Sequence, residues 1–278
     1  MKINLAILIG ALFCLLPYIA GANNFGQASV MSACPRGSAE AEEIYQEARK
    51  YWLGQEGYKK KPKKALELFE KAMFMGNSKA ALGIGGLFMW DFEGMYDDKE
   101  RLRFMLKMYN EGIKMGCAEG HVLLAECYFK GWGVPIDDAK AVEELKQAVA
   151  KGSPKGMEVY GTYLWDHTNE KDLGRELLRQ SLALGNGDAG KPLSKSYMGR
   201  DDDKLYAALR NGARLGSRRC LRTLAHYYLG GEFGQEKNKK LFDCVTRIED
   251  SINGFYAPEP IDNFGELCPH PTPLHVTP

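Results

Sequence analysis

Two short clusters in this 278-residue sequence carry residue types that metal chemistry uses. Cys117 and His121 stand four apart, so on a helix both face one side and could share an ion. Cys268 and His270 flank Pro269 in the second. A protein metal site needs three or four ligands, and neither cluster has the further ligand pair that a zinc ribbon requires. A helix-start cysteine and a surface histidine explain the first cluster better, and no metal or cofactor is expected. Asp201, Asp202 and Asp203 precede a predicted helix, where the positive end of the helix dipole favours carboxylates; that outweighs a cation site. Five lysines between Lys59 and Lys64 form one solvated turn, not the stripe that nucleic acid demands. The sequence has no phosphate loop, nucleophile elbow or paired catalytic carboxylates, which points away from an enzyme. With 37 basic and 36 acidic residues, no global field draws in nucleic acid or an anionic membrane.

The compartment is read from the N-terminus and the cysteines. Lys2 followed by an apolar run from Leu5 to Ile19, then Ala20, Gly21 and Ala22, has the form of a signal peptide cleaved after Ala22. Phe13 before Cys14 argues against lipidation. No later stretch is long and apolar enough to span a membrane, so the mature chain is expected to be exported to the periplasm without an integral segment. Cys34, Cys117, Cys127, Cys220, Cys244 and Cys268 remain, an even number in an oxidising location. Cys117 and Cys127, on or beside one predicted helix, are ~15 Å apart and too far to bridge. Cys220 with Cys244, on the two helices of one predicted hairpin, is the candidate pair, and several of the six fit equally well as buried free thiols.

The elements that position these residues come from an internal repeat. Gly76, Gly116, Gly152, Gly185 and Gly216 recur along the chain. Four and eleven residues before them stand Ala72 and Ala65, Gly112 and Met105, Ala148 and Ala141, Ser181 and Gly174, Gly212 and Leu205, nearly all small. These positions share one helical face, where small side chains admit a neighbouring helix, and the glycine ends the helix in the left-handed conformation. A second helix is thus predicted in each unit, such as Lys64 to Met75 or Ala139 to Ala150. First helices begin four residues after each glycine. Counting from Glu43, Ala80, Gly120, Gly156, Ala189 and Cys220 as zero, position five is small in every copy: Ala48, Gly85, Ala125, Gly161, Ser194 and Ala225. Position eight is large in every copy: Tyr51, Phe88, Tyr128, Leu164, Tyr197 and Tyr228. Small opposite large is how neighbouring helices interdigitate. A looser last helix, 237–252, reads as an end cap.

The run from Tyr128 through Gly131, Gly133, Val134, Asp137 and Ala141 to Ala148 and Gly152 closely resembles the Sel-one-like repeat, a relative of the tetratricopeptide repeat. Ala48 to Gly76 is nearly as good, while the copies at 80–116, 156–185 and 189–216 lose the Gly-x-Gly-Val turn. The resemblance covers roughly 41–252 and implies an all-α, right-handed α-solenoid used for protein–protein contact. It leaves 1–22 as the signal peptide, 23–40 as a mobile leader tied down at most by Cys34, and 253–278 as a proline-rich tail. The segment from Phe264 to Leu274 resembles the ending of some envelope Sel-one-like proteins of type VI secretion loci. That likeness implies an immunity protein that binds and occludes a secreted effector such as a phospholipase. An envelope scaffold or adaptor is the alternative; a β-lactam-binding or hydrolysing enzyme is a third, disfavoured because the strict two-cysteine repeat of those relatives is absent.

On the first helices, positions two, six and nine point away from the packing arc, and in such superhelices they line the concave groove. The expected partner-binding residues are Tyr45, Arg49, Trp52, Met89, Glu126, Phe129, Glu158, Trp165, Lys195, Arg222 and His226. Position nine is apolar in all six copies, which marks either a docking ladder or packing on the next repeat.

Overall fold

A computed structural model describes residues 34–55, 57–90, 97–231, 237–251, 261 and 264–268. The expected signal peptide, most of the leader and most of the tail lie outside these residues. The rest folds as six antiparallel helical hairpins. First helices are α1 (Ala39–Leu53), α3 (Ser78–Trp90), α5 (Glu119–Lys130), α7 (Pro154–His167), α9 (Gly190–Tyr197) and α11 (Arg218–Gly230). Second helices are α2 (Pro62–Phe74), α4 (Asp98–Lys114), α6 (Asp138–Ala150), α8 (Lys171–Ala183), α10 (Asp202–Arg214) and α12 (Lys239–Ser251). A single turn, α13 (Phe264–Leu267), follows. Each helix packs most closely on its hairpin partner, and each second helix then packs on the first helix of the next hairpin. Consecutive first helices also touch, as α1 with α3, α5 with α7, α7 with α9 and α9 with α11. This is an α-solenoid whose first helices line one face.

The repeat glycines act as expected. Gly76, Gly116, Gly152, Gly185 and Gly216 all have φ between 74° and 92°. In each case the glycine N–H donates three residues back, and the next N–H donates to the small residue at minus four: Asn77 to Ala72, Cys117 to Gly112, Ser153 to Ala148, Asn186 to Ser181 and Ser217 to Gly212. This paired closure satisfies carbonyls that a helix end leaves orphaned. Half of the twelve hairpin-helix starts carry a Ser or Asp cap. Ser38, Ser153 and Ser217 cap first helices, and Asp97, Asp137 and Asp201 cap second ones through side-chain oxygens. Asp201 is therefore a helix cap, and its Oδ1 accepts from the Lys204 N–H at 3.0 Å.

Small residues set the spacing. A Cβ on Gly161 would lie 2.8 Å from the Gly174 carbonyl oxygen, and one on Gly174 equally close to Gly161, so α7 and α8 meet backbone to backbone. At Gly85 the space is filled by Tyr109, and at Gly83 by Phe69. The core runs along the stack, from Phe69, Leu87 and Met105 through Leu145 and Leu164 to Leu209, Tyr228 and Val245.

The disulfides correct one expectation. Cys220 does not pair with Cys244. Cys34 bonds Cys117 and Cys244 bonds Cys268, while Cys127 and Cys220 are buried free thiols. Sharing a hairpin was no guide, because the two side chains leave it in different directions. Cys220 points back at the preceding repeat, its Sγ 3.5 Å from the Gly187 carbonyl oxygen. Cys244 faces the terminal turn, with its Sγ 3.0 Å from the Leu267 carbonyl oxygen. The leader is fastened by Cys34 and by Pro35, whose carbonyl accepts from both the Ser78 N–H and the Ser78 hydroxyl. Phe264 and Cys268 are buried against the last two hairpins, and the Arg210 guanidinium donates to the Cys268 carbonyl at 2.9 Å.

Two outcomes test this packing. Gly212→Ala places a methyl 2.4 Å from Cys220 Sγ and 2.6 Å from the Gly187 carbonyl oxygen, which should cost ~1–3 kcal/mol. Gly152→Ala meets nothing within 4 Å at φ +74° and should cost about 1 kcal/mol of backbone strain alone; urea denaturation compares them, and equal losses would contradict the contact.

Burial pushes the Cys127 and Cys220 thiols up to about 12. Their folded values lie above the unfolded one, so their contribution to stability is whole below the ordinary thiol range and falls as pH rises through and beyond it. At pH 8 the native protein should therefore resist iodoacetamide at both positions, and unfolding without reductant should release both to mass-detected alkylation. Rapid labelling of the native chain would count against their burial.

Candidate protein-binding face

The chemistry suggested by the metal-like clusters is absorbed by structure. Cys117 is spent in the disulfide. His121 lies at the start of α5 with Nδ1 2.7 Å from Glu144 Oε2 on α6, and its Nε2 is buried with no hydrogen-bond partner among the described residues. Cys268 is bonded to Cys244, and His270 lies outside the described residues. Among the described residues no three His, Cys, Asp or Glu side chains gather as metal ligands. The lysine turn is exposed, with Lys64 paired to Glu67 at 3.1 Å. Asp201 is held below the usual carboxylate range by its hydrogen bonds from the Lys204 side chain and backbone.

The first-helix face is closed at one end of the stack and open at the other. On α3 every residue from Ala80 to Met89 is buried, so Leu82, Gly86 and Met89 offer no open wall. Trp52 covers Gly86, where a Cβ would sit 2.6 Å from its ring, and Leu82 packs into the space left by Gly112. Trp52 also meets Phe69 edge-on at 5.8 Å, and Tyr45 lies 5.7 Å from the same ring. Arg49 lies over Tyr45, its guanidinium 6.0 Å from the ring centre. Trp52 at position nine of α1 thus packs on the next repeat.

At α5 and α7 the same positions are buried or half-buried, and at α9 and α11 they are exposed. Phe129 is half-buried and stacks on Tyr163 at 5.6 Å, and Tyr163 in turn meets His167 at 5.1 Å. Trp165 is turned toward α8, where Lys171 and Arg175 lie 5.1 and 5.4 Å from its ring. Glu158 is buried, with Lys155 at 2.7 Å, Asn186 at 3.0 Å and Arg219 at 3.3 Å. Glu126 is lifted above the ordinary carboxylate range, chiefly by burial; Lys155 opposes that shift and Glu158 adds to it. Lys195, Arg222 and His226 are exposed, as are Met198 and Leu229 at position nine. Two ion pairs tie this half together across helices: Lys195 to Asp166 at 2.7 Å, and Arg219 past α9 to Glu158.

Lys191, at position two of α9, is exposed as its place in the repeat implies. The missed residue is Arg219, in the first turn of α11 and one turn before position two; its exposed charge was the available signal.

No family model matches the chain. Chitin synthase regulatory factor 4 of Schizosaccharomyces pombe is 27% identical over 126 residues, which is 45% of this chain and 19% of that protein. Among solved structures, Pseudomonas aeruginosa 5086 is similar with a TM-score of 0.70 and 18% identity, over 88% of this chain and 93% of that one. The immunity protein Pa5087 from Pseudomonas aeruginosa follows at 0.64 and 18%, over 81% and 86%. A Sel1 repeat protein from Oxalobacter formigenes gives 0.56 and 18%, over 76% and 87%. The chain has the Sel1-like repeat fold.

The two halves should respond differently to truncation. Trp52→Ala removes a ring wedged between three helices and should lower stability by ~2–4 kcal/mol. Leu229→Ala, at a side chain 53% exposed, should change it by less than about 0.5 kcal/mol. Thermal melts of the two variants decide this, and a tolerated Trp52→Ala would return that tryptophan to the docking face.

Proposed function

We propose that this chain is a non-catalytic, exported binding protein that uses the α5–α11 part of its first-helix face to hold another protein, as an immunity protein holds an effector. The observation that carries the reading is the contrast along one face. The same helical positions are buried at α3, Gly86 under Trp52, yet stay open at α9 and α11 with Met198 and Leu229 about half exposed. Solenoids of this kind present extended surfaces to partners, and exposed apolar side chains rimmed by charge are the usual mark of a contact site.

The fold shared with the immunity protein Pa5087 supports the finer role. The two disulfides and the apolar N-terminal run fit the periplasm, where such bonds persist. Inhibition would be steric: a rigid stack covering the effector's working surface, with no reacting group of its own.

Co-expression in the bacterial envelope with the toxin encoded by a neighbouring gene should restore growth, and the pair should co-elute on gel filtration. The variant Met198→Asp with Leu229→Asp should lose both while keeping its helical circular dichroism. Protection unchanged by that variant would remove the face from the account. Absence of both protection and co-elution in the unaltered chain would remove the immunity role.

A further inference from the structure

Resting on the docking reading above, we infer that the α9–α11 part of the face takes an acidic protein segment that carries an apolar anchor. The chain as a whole is balanced at 37 basic and 36 acidic residues, but these two helices are not. Their eight and thirteen residues include Lys191, Lys195, Arg218, Arg219 and Arg222 and not one Asp or Glu.

Carboxylates reach this region from neighbouring helices, and they arrive underneath. Side-chain exposure is 53% for Arg219 against 5% for Glu158, 65% for Arg222 against 14% for Glu249, and 57% for Lys195 against 34% for Asp166. In each pair the anion is the inner layer and the cation the outer one. Lys191 is exposed and has no ion-pair partner among the described residues. What approaches from solvent therefore meets cations first, and Arg219, Arg222 and Lys195 are each held by a carboxylate less exposed than themselves. Such fixed charge steers a complementary partner and rejects a like-charged one.

The apolar part lies at the C-terminal ends of the same helices, where Lys195 adjoins it. Met198 and Leu229 stand at the C-terminal ends of α9 and α11, 46% and 53% exposed, and the two helices touch. Cations at the helix starts and, at Lys195, in the last turn of α9 beside Met198, together with two apolar side chains at the helix ends, suit a strand or helix of partner with acidic residues along it and one Leu- or Phe-like side chain beside them. A phosphate backbone or an anionic bilayer would meet the cations but leave the apolar pair without a match in the first case and ask for a broader flat patch in the second.

The test uses the mature chain and a fluorescein-labelled peptide of Asp and Glu interspersed with Leu, followed by anisotropy. Binding should weaken as salt rises, and Lys191→Glu with Lys195→Glu should weaken it at least about tenfold. Lys191→Arg with Lys195→Arg should restore it. Lys63→Glu with Lys64→Glu makes the same charge change in the distant lysine turn and should leave it intact. A peptide that does not bind, or that is lost equally in the lysine-turn variant, overturns the inference. So does tighter, equally Lys191-dependent capture of single-stranded DNA or phosphatidylglycerol vesicles. A captured toxin that ignores the Lys191 and Lys195 reversals yet is lost with Met198→Asp and Leu229→Asp overturns the acidic segment and leaves the docking face standing.

Discussion

One local arrangement governs the rest: a second helix that ends on a left-handed glycine, four residues after a side chain too small to keep the next helix away. At Ala72, Gly112, Ala148, Ser181 and Gly212 the same residue accepts the closing hydrogen bond from the turn, and its small size admits a neighbouring first helix: α3 at Gly112, α7 at Ala148 and Ser181, α11 at Gly212. Termination, carbonyl satisfaction and close approach are thus one feature of the chain. Because each hairpin then touches chiefly its neighbours, stability accumulates along the stack and the ends are its weak points. Both ends are stapled. Cys34–Cys117 closes 83 residues of chain and Cys244–Cys268 closes 24, which restricts the unfolded state by ~4–5 and ~3–4 kcal/mol on a chain-entropy account.

The repeat was legible because it is written in glycine and alanine, residues whose meaning is backbone geometry. The glycines at 76, 116, 152, 185 and 216 placed the ends of the first five second helices, and the small position five marked the close hairpin contacts at Gly85 and Gly161. What periodicity could not supply was occupancy. A helical wheel says where Met89 and Trp52 point; it does not say that Trp52 will fill the hole left by Gly86. That hole was in the sequence, since position six of α3 is the one copy without a side chain, where the others carry Arg49, Glu126, Thr162, Lys195 and His226. The cysteine pairing failed for a related reason: shared hairpin membership fixes distance along the chain, not the direction in which a side chain leaves its helix.

The degenerate fifth repeat shows how irregularity shapes the open face. Gly187 and Gly190 approach the Gly212 and Ala208 carbonyls so closely that a Cβ would lie 2.7 and 2.6 Å away. The chain accommodates this with a three-residue tight turn, Gly187–Ala189, before a first helix of only eight residues. Across so short an α9, Arg219 reaches back to Glu158 on α7, 61 residues earlier. The departure from the repeat thus brings α7 and α11 into one charged surface.

That geometry also settles what the buried Glu158 can do. A carboxylate this enclosed is costly unless fully partnered, and Lys155, Asn186 and Arg219 supply donors from three different elements. Removing any one leaves the other donors converging on an anion that cannot turn to water, so the network locks three repeats in register more firmly than it adds net stability. A face meant to cover a partner by shape needs that rigidity, because a stack whose repeats slid past one another would spend binding energy on ordering itself before it could occlude anything.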